Sequence, residues 1–226
     1  MDDAPDANRK DRRKDLIVVT GAAGHLGANL VRGLLAQGRT VRALVREHTA
    51  GLDGLPVEVV HCDITDVQAC RQALEGTQIV YHLAACISVG WESPSKVEAV
   101  NVGGTRNVID ASLANRVGRL VHFSSVHALA PDPIDDFVDE QRPLVENDPR
   151  NLIYDRTKAE AERLVQAAVS RGLDAVILNP TAVLGPHDYL PSAMGQVLID
   201  LHKGRLPALI SGAGFNWVDV RDVVHA

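Results

Sequence analysis

The chain has 226 residues, of which 46% are hydrophobic and 23% charged, and a formal net charge of −6. That length allows one well-cored α/β domain and the start of a second lobe, and the composition excludes wholesale disorder. The acidic balance provides no broad positive field for nucleic acid or an anionic membrane, and no apolar run reaches the roughly 18 residues needed to span a bilayer, so neither partner is expected.

Residues 1–14 mix Asp2, Asp3, Asp6 and Asp11 with Arg9, Lys10, Arg12, Arg13 and Lys14. They are expected to form a disordered polar tail, without the apolar segment of a signal peptide. From Leu16 onward short apolar runs alternate with amphipathic stretches, which predicts an α/β fold with a doubly wound parallel sheet. Leu16–Thr20 is the first strand, and its unbroken apolar run suits a central position covered on both faces. Leu26, Leu30, Leu34 and Leu35 then line one helical face that Gly38 ends.

Further strands are predicted at 41–45, 57–61 and 79–83, each followed by a loop or polar-faced helix. A long helix at 97–113, a strand at 120–123, a helix at 154–170 and a strand at Ala175–Leu178 complete a core domain over residues 15–180. Residues 130–151, with four prolines and many acids, form a long surface loop. Residues 181–226 are expected to begin a substrate lobe, with a helix at Ala193–His202 and a strand at 215–218. The final apolar pattern of Val220, Val223 and Val224 has neither a C-terminal cap nor a partner element, so the chain is expected to be part of a longer protein. Cys62, Cys70 and Cys86 are odd in number and lack CxxC spacing; they suit small core positions in a reducing, cytoplasmic protein.

The segment Thr20 to Gly27 lies where a buried strand turns into a helix. Gly21 permits the tight turn, Gly24 lets the backbone approach a pyrophosphate, and Gly27 lets the helix pack on the sheet. The free N–H groups of the helix start add a partial positive charge. Asp63, after the third strand, suits either an adenine amine or a turn cap. Leu83, Ala84 and Ala85 suit either a chain lying flat against a cofactor or ordinary packing.

Tyr154 and Lys158 are four residues apart at a helix start, so they share one face. There a nearby ammonium would lower the phenol pKa towards working pH, whereas in isolation such a pair is a solvated helix face. Ser124 and Ser125 close the fifth strand at the edge where open α/β sheets place ligands, and fit either a carbonyl oxygen or a turn. His61, His82, His122 and His127 show no metal-ligand spacing; of these, only His127 is placed to touch a substrate.

Together these features resemble the extended branch of the short-chain dehydrogenase/reductase superfamily, the NAD-dependent epimerase/dehydratase family, and within it the dihydroflavonol-reductase-like members. The resemblance runs from Leu16 to the end. It rests on the glycine turn, Asp63 with Ile64, Val80 to Ala85, Asn101 to Thr105, Ser124 with Ser125, Tyr154 with Lys158, and Asn179 with Pro180.

It implies that Tyr154 is the catalytic acid, that Lys158 holds the nicotinamide ribose and tunes Tyr154, that Ser125 polarises a carbonyl, and that Asn101 steadies the group. It further implies that Gly21, Ala23, Gly24, His25 and Leu26 meet the pyrophosphate, that Asp63, Ile64, Leu83, Ala84 and Ala85 line the cofactor, and that Pro180 lies beside the nicotinamide. The expected function is NADP-dependent reduction of a ketone or aldehyde. A nucleotide-sugar epimerase or dehydratase that retains its cofactor, and a non-catalytic dinucleotide sensor, are the alternatives.

Arg46 at the end of the second strand, where a dihydroflavonol-type reductase carries an arginine, favours a 2′-phosphate and thus NADP, with NAD as the other option; Glu47 beside it could pair with it. A homodimer through helices 97–113 and 154–170 is expected from the apolar residues Val97, Val100, Val108, Leu164, Val165 and Val169.

Overall fold

A computed structural model describes residues 15–88, 92–208, 212 and 214–226. The expected polar tail, residues 1–14, and part of the loop after the fourth strand lie outside them. Six strands form one parallel sheet: β1 (Leu16–Thr20), β2 (Thr40–Val45), β3 (Glu58–His61), β4 (Ile79–His82), β5 (Arg119–Phe123) and β6 (Ala175–Leu178). Their order is β3-β2-β1-β4-β5-β6, with every pairing parallel. This is the doubly wound sheet expected from the alternation of strands and helices. The strand order reverses between β1 and β4, at the switch point where such sheets bind ligands.

β1 is buried along its whole length because both faces are covered. Ile17 and Val19 point into a core with Leu30, Val31 and Leu34 of α1 (His25–Ala36). Val18, with Val80 of β4 and Leu120 of β5, points to the other layer. That layer contains Cys70 of α2 (Val67–Ala73), Val108 of α4 (Thr105–Ala114) and Val165 of α5 (Ile153–Val169). Cys62, Cys70 and Cys86 are free thiols, the first two buried as expected.

The sequence predicts one helix over 97–113, whereas the structure has three joined pieces: α3 (Pro94–Glu98), a π-helical stretch (Ala99–Gly104) and α4. The widened stretch falls on the Asn101 to Gly104 run. At Gly104 a Cβ would come within 2.4 Å of the Ile64 side chain, so the helix passes close to the β3 loop only with glycine there. π-helical turns are often found at functional sites.

Val97, Val108 and Val165 of the expected dimer face are fully buried within the chain, and Val100 and Leu164 pack against the same core. Only Val169 is exposed, at 50%, so the sheet itself covers the apolar surface on which that expectation rested.

After β6 the chain forms β7 (Ala182–Leu184), missed from sequence, which pairs in parallel with β8 (Trp217–Asp219); α6 (Ala193–His202) lies between them. α7 (Val220–His225) has a side-chain cap at its N-terminus and, against the expectation, a partner element. The Asp219 side chain accepts from Arg221 N at 2.8 Å, Val220 is fully buried, and Val224 joins the α1 core beside Gly33. Residues 130–151 form the expected long loop, with a lone bridge between Leu129 and Leu144.

Candidate active site

The carboxyl ends of β1 to β5 border one cleft of about 580 Å³. Gly21, Ala23, Gly24, His25 and Leu26 form one end of its lining, Arg46, Asp63 and Ile64 another, and Leu83, Ala84 and Ala85 contribute from the end of β4. Ser125, Tyr154, Lys158 and Pro180 lie on the same cleft.

The glycine turn shows why each glycine is needed. Gly21 has φ +65°, and a Cβ there would stand 2.8 Å from Ala84 N. Gly27 corrects the sequence reading, since its Cβ would stand 2.3 Å from Gly21 O and 2.7 Å from Ala22 Cα. Its bareness lets α1 press on the turn rather than on the sheet.

Gly24 is the N-cap of α1, and no side chain caps the helix and no acid occupies its first turn. The first-turn N–H groups therefore await an acceptor, and a helix N-terminus supplies positive potential. His25 Nε2 is buried with no partner in the protein. These donors, beside a backbone that no Cβ obstructs, fit a dinucleotide pyrophosphate.

Behind the turn lies a polar network that sequence reading missed. Thr20 Oγ1 accepts from Leu83 N and Ala84 N, both at 3.1 Å, so its own proton goes to His82 Nδ1, 2.8 Å away. His82 must then carry its proton on Nε2 and donate to Thr105 Oγ1 at 3.0 Å, and Thr105 in turn donates to Asn101 O at 2.6 Å. This ties the ends of β1 and β4 to the π-helical stretch. The only signal in the sequence was a histidine within an apolar strand.

Asn101 lies off the cleft. Its Oδ1 accepts from Cys86 N at 2.7 Å, and its Nδ2 donates to Cys86 O and to Thr157 Oγ1, both at 3.1 Å. It thus fixes the chain leaving β4 against the helix bearing Tyr154. Asp63 also has a turn role, because its Oδ1 accepts from both Thr65 N and Thr65 Oγ1, which holds the carboxyl below its usual range. Arg46 is half-exposed and sits 3.3 Å from Glu47.

Lys158 is 4% exposed and donates from Nζ to Phe123 O at 2.8 Å. Burial depresses its pKa to about 8, with Glu162 opposing the change. The sequence-based expectation that this ammonium lowers the Tyr154 pKa is overturned. Burial raises the Tyr154 pKa, Asp155 adds to the rise, and a hydrogen bond from Ser125 tempers it. Tyr154 is thus a phenol at neutral pH, the form that can give a proton.

Ser125 O accepts from Asn179 Nδ2 at 3.1 Å, and Pro180 O accepts from Val126 N, also at 3.1 Å, so the residues after β6 fix the serine. Ser124 Oγ is buried without a partner. His127, half-exposed, stands 3.3 Å from Asp155.

The sequence model of the NAD dependent epimerase/dehydratase family matches residues 17–226. The chain belongs to this family. It is 43% identical over 209 residues to sterol demethylase protein B of Methylococcus capsulatus, covering 92% of this chain and 63% of that protein. It is 36% identical over 215 residues to a Synechocystis sp. protein named as a candidate dihydroflavonol 4-reductase, covering 92% and 61%.

Among solved structures, a dTDP-glucose 4,6-dehydratase from Streptomyces venezuelae with NAD and TYD bound superposes with a TM-score of 0.82 at 27% identity, covering 93% of this chain and 70% of that one. The chain therefore spans about three fifths of the length of the curated relatives it matches. Among the described residues no helix is long and apolar enough to cross a membrane, and no group of three His, Cys, Asp or Glu side chains could hold a metal.

Proposed function

We propose that this protein is an NADP-dependent oxidoreductase that reduces a ketone or aldehyde carried on an apolar small molecule. The observation that carries the reading is the meeting on one cleft of an uncapped helix N-terminus, the protonated Tyr154, Ser125 and the buried Lys158. NADP(H) bound there supplies the hydride.

The first turn of α1 holds the pyrophosphate, and Asp63, Ile64, Leu83, Ala84 and Ala85 border the adenosine half. Pro180 faces the nicotinamide, and Lys158 holds its ribose. The Ser125 hydroxyl and the Tyr154 phenol both donate to the substrate oxygen. Tyr154 then gives up its proton as negative charge develops there.

Arg46 pairs with the 2′-phosphate once it leaves Glu47, a charge-assisted contact worth about 1.5–3 kcal/mol, and this supports NADP over NAD. Ile87, Val183, Leu190 and Met194, with the polar Thr181 and Ser192, line the remaining wall, and this largely apolar lining favours an apolar carbonyl compound over a nucleotide sugar. The sterol in the name of the M. capsulatus relative is likewise a largely apolar molecule.

A panel of ketones and aldehydes should be assayed for consumption of NADPH and NADH. The reading predicts turnover with an apolar carbonyl compound, preference for NADPH, and a fall of at least about a hundredfold in Tyr154→Phe. Undiminished turnover in that variant would refute the proton donor.

A further inference from the structure

Asp155, next to Tyr154 on α5, is a mostly buried carboxylate whose side chain is 20% exposed. Its Oδ1 makes no hydrogen bond of good geometry, and the nearby cation is the imidazole of His127, with Nδ1 3.3 Å away. The His127 ring meets the Tyr154 ring edge-on, with centroids 5.9 Å apart, and His127 N donates to Ser125 Oγ at 3.2 Å. The imidazole of the pair therefore lies against Tyr154, while the His127 backbone holds Ser125. We propose that His127 and Asp155 form a charge-compensating pair that sets the acidity of Tyr154, which makes His127 a positioning residue for the proton transfer.

The carboxylate of Asp155 disfavours ionisation of Tyr154, and a protonated imidazole beside that carboxylate cancels its field at the phenol. Asp155 raises the imidazole pKa and is the charged group acting on it among the described residues. Arg156, the next residue on α5, donates from Nη1 to Asn147 Oδ1 at 3.1 Å, and its Nε is buried without a partner. On α5 Lys158 donates to Phe123 O. On the segment joined to the His127 turn through Ala130 N to Pro143 O and Val145 N to Ala128 O, Arg142 is bound to the carbonyls of Pro133, Asp136 and Phe137, and Glu146 acts on Arg150.

The sign follows from this arrangement. Below the His127 pKa the pair is neutral overall and Tyr154 is the stronger acid. Above it the Asp155 charge is unopposed, Tyr154 becomes weaker, and the reduction slows by roughly threefold.

The proposal rests on Tyr154 being the proton donor, but its test needs no turnover. The phenolate absorbance of each variant, less that of its Tyr154→Phe counterpart, gives the Tyr154 titration, and NMR gives that of His127. Asp155→Asn should lower the Tyr154 midpoint by about one pH unit and lower the His127 pKa, since burial alone then acts on it. His127→Arg, which keeps the cation, should lower the Tyr154 midpoint similarly.

His127→Gln should leave it in place, because the wild-type imidazole is already neutral where the phenol ionises. An unmoved midpoint in both Asp155→Asn and His127→Arg, or an equal move in His127→Gln, would overturn the proposal. If either variant fails to fold, the other decides. A protein that shows these shifts but reduces no carbonyl would sink the functional reading and leave the coupling intact.

Discussion

Lys158 sets its proposed role against stability in one side chain. An ammonium held at about 8 instead of an ordinary 10.5 is proton-poor relative to the unfolded chain between those pH values, so stability rises as pH climbs from about 8 to 10.5. At neutral pH burial of the charge costs about 3 kcal/mol, partly offset by the bond to Phe123 O. Lys158→Met should therefore be more stable than wild type by about 1–2 kcal/mol in urea unfolding at pH 7 while losing the proposed reductase activity. The gain should vanish above about pH 10. A variant less stable at pH 7 would show that the ammonium is well compensated where it lies.

At the level of elements, the β4 and β5 pairing places His82 and His122 side by side, ring centroids 5.3 Å apart and both buried. His82 is held to about 3 and His122 well below its ordinary value, burial being the main cause and Lys158 the next. Both are neutral in the fold and gain protons when it unfolds below about pH 6.5. Stability is thus fully present above that pH and is lost as pH falls, at up to about 2.7 kcal/mol per pH unit for two protons.

His122 also has no hydrogen-bond partner for either ring nitrogen, whereas both of His82 are used. His122→Phe should accordingly halve the slope between pH 6.5 and 5 and raise the stability. Denaturant titrations at several pH values measure both, and an unchanged slope would mean that His122 is charged in the fold.

Across the whole molecule, periodicity made the sheet readable. Leu16–Thr20, Ala175–Leu178 and Ala193–His202 fall on the predicted residues, because strand alternation and glycine stops act locally. The π-helical stretch was not legible; it ends at Gly104, which packs against Ile64 of a distant segment. Nor was β7, whose three residues become a strand only by pairing with β8.

In the site, the spacing of Tyr154 and Lys158 indicated a shared face but not its electrostatics, because burial depends on the sheet behind them. The partner of Asn101 and the tautomer of His82 likewise depend on contacts across 15 to 62 residues.

The central claim is that one cleft brings a reduced dinucleotide and a carbonyl together beside Tyr154. Its most direct test is the fate of deuterium placed at C4 of NADPH, followed by mass spectrometry and NMR of the product alcohol. With both C4 positions labelled, the account predicts stoichiometric deuterium at the carbinol carbon with wild type and incorporation at least about a hundredfold slower with Tyr154→Phe. Deuterium that stays with the cofactor while substrate is converted to an isomer or a dehydration product would contradict it.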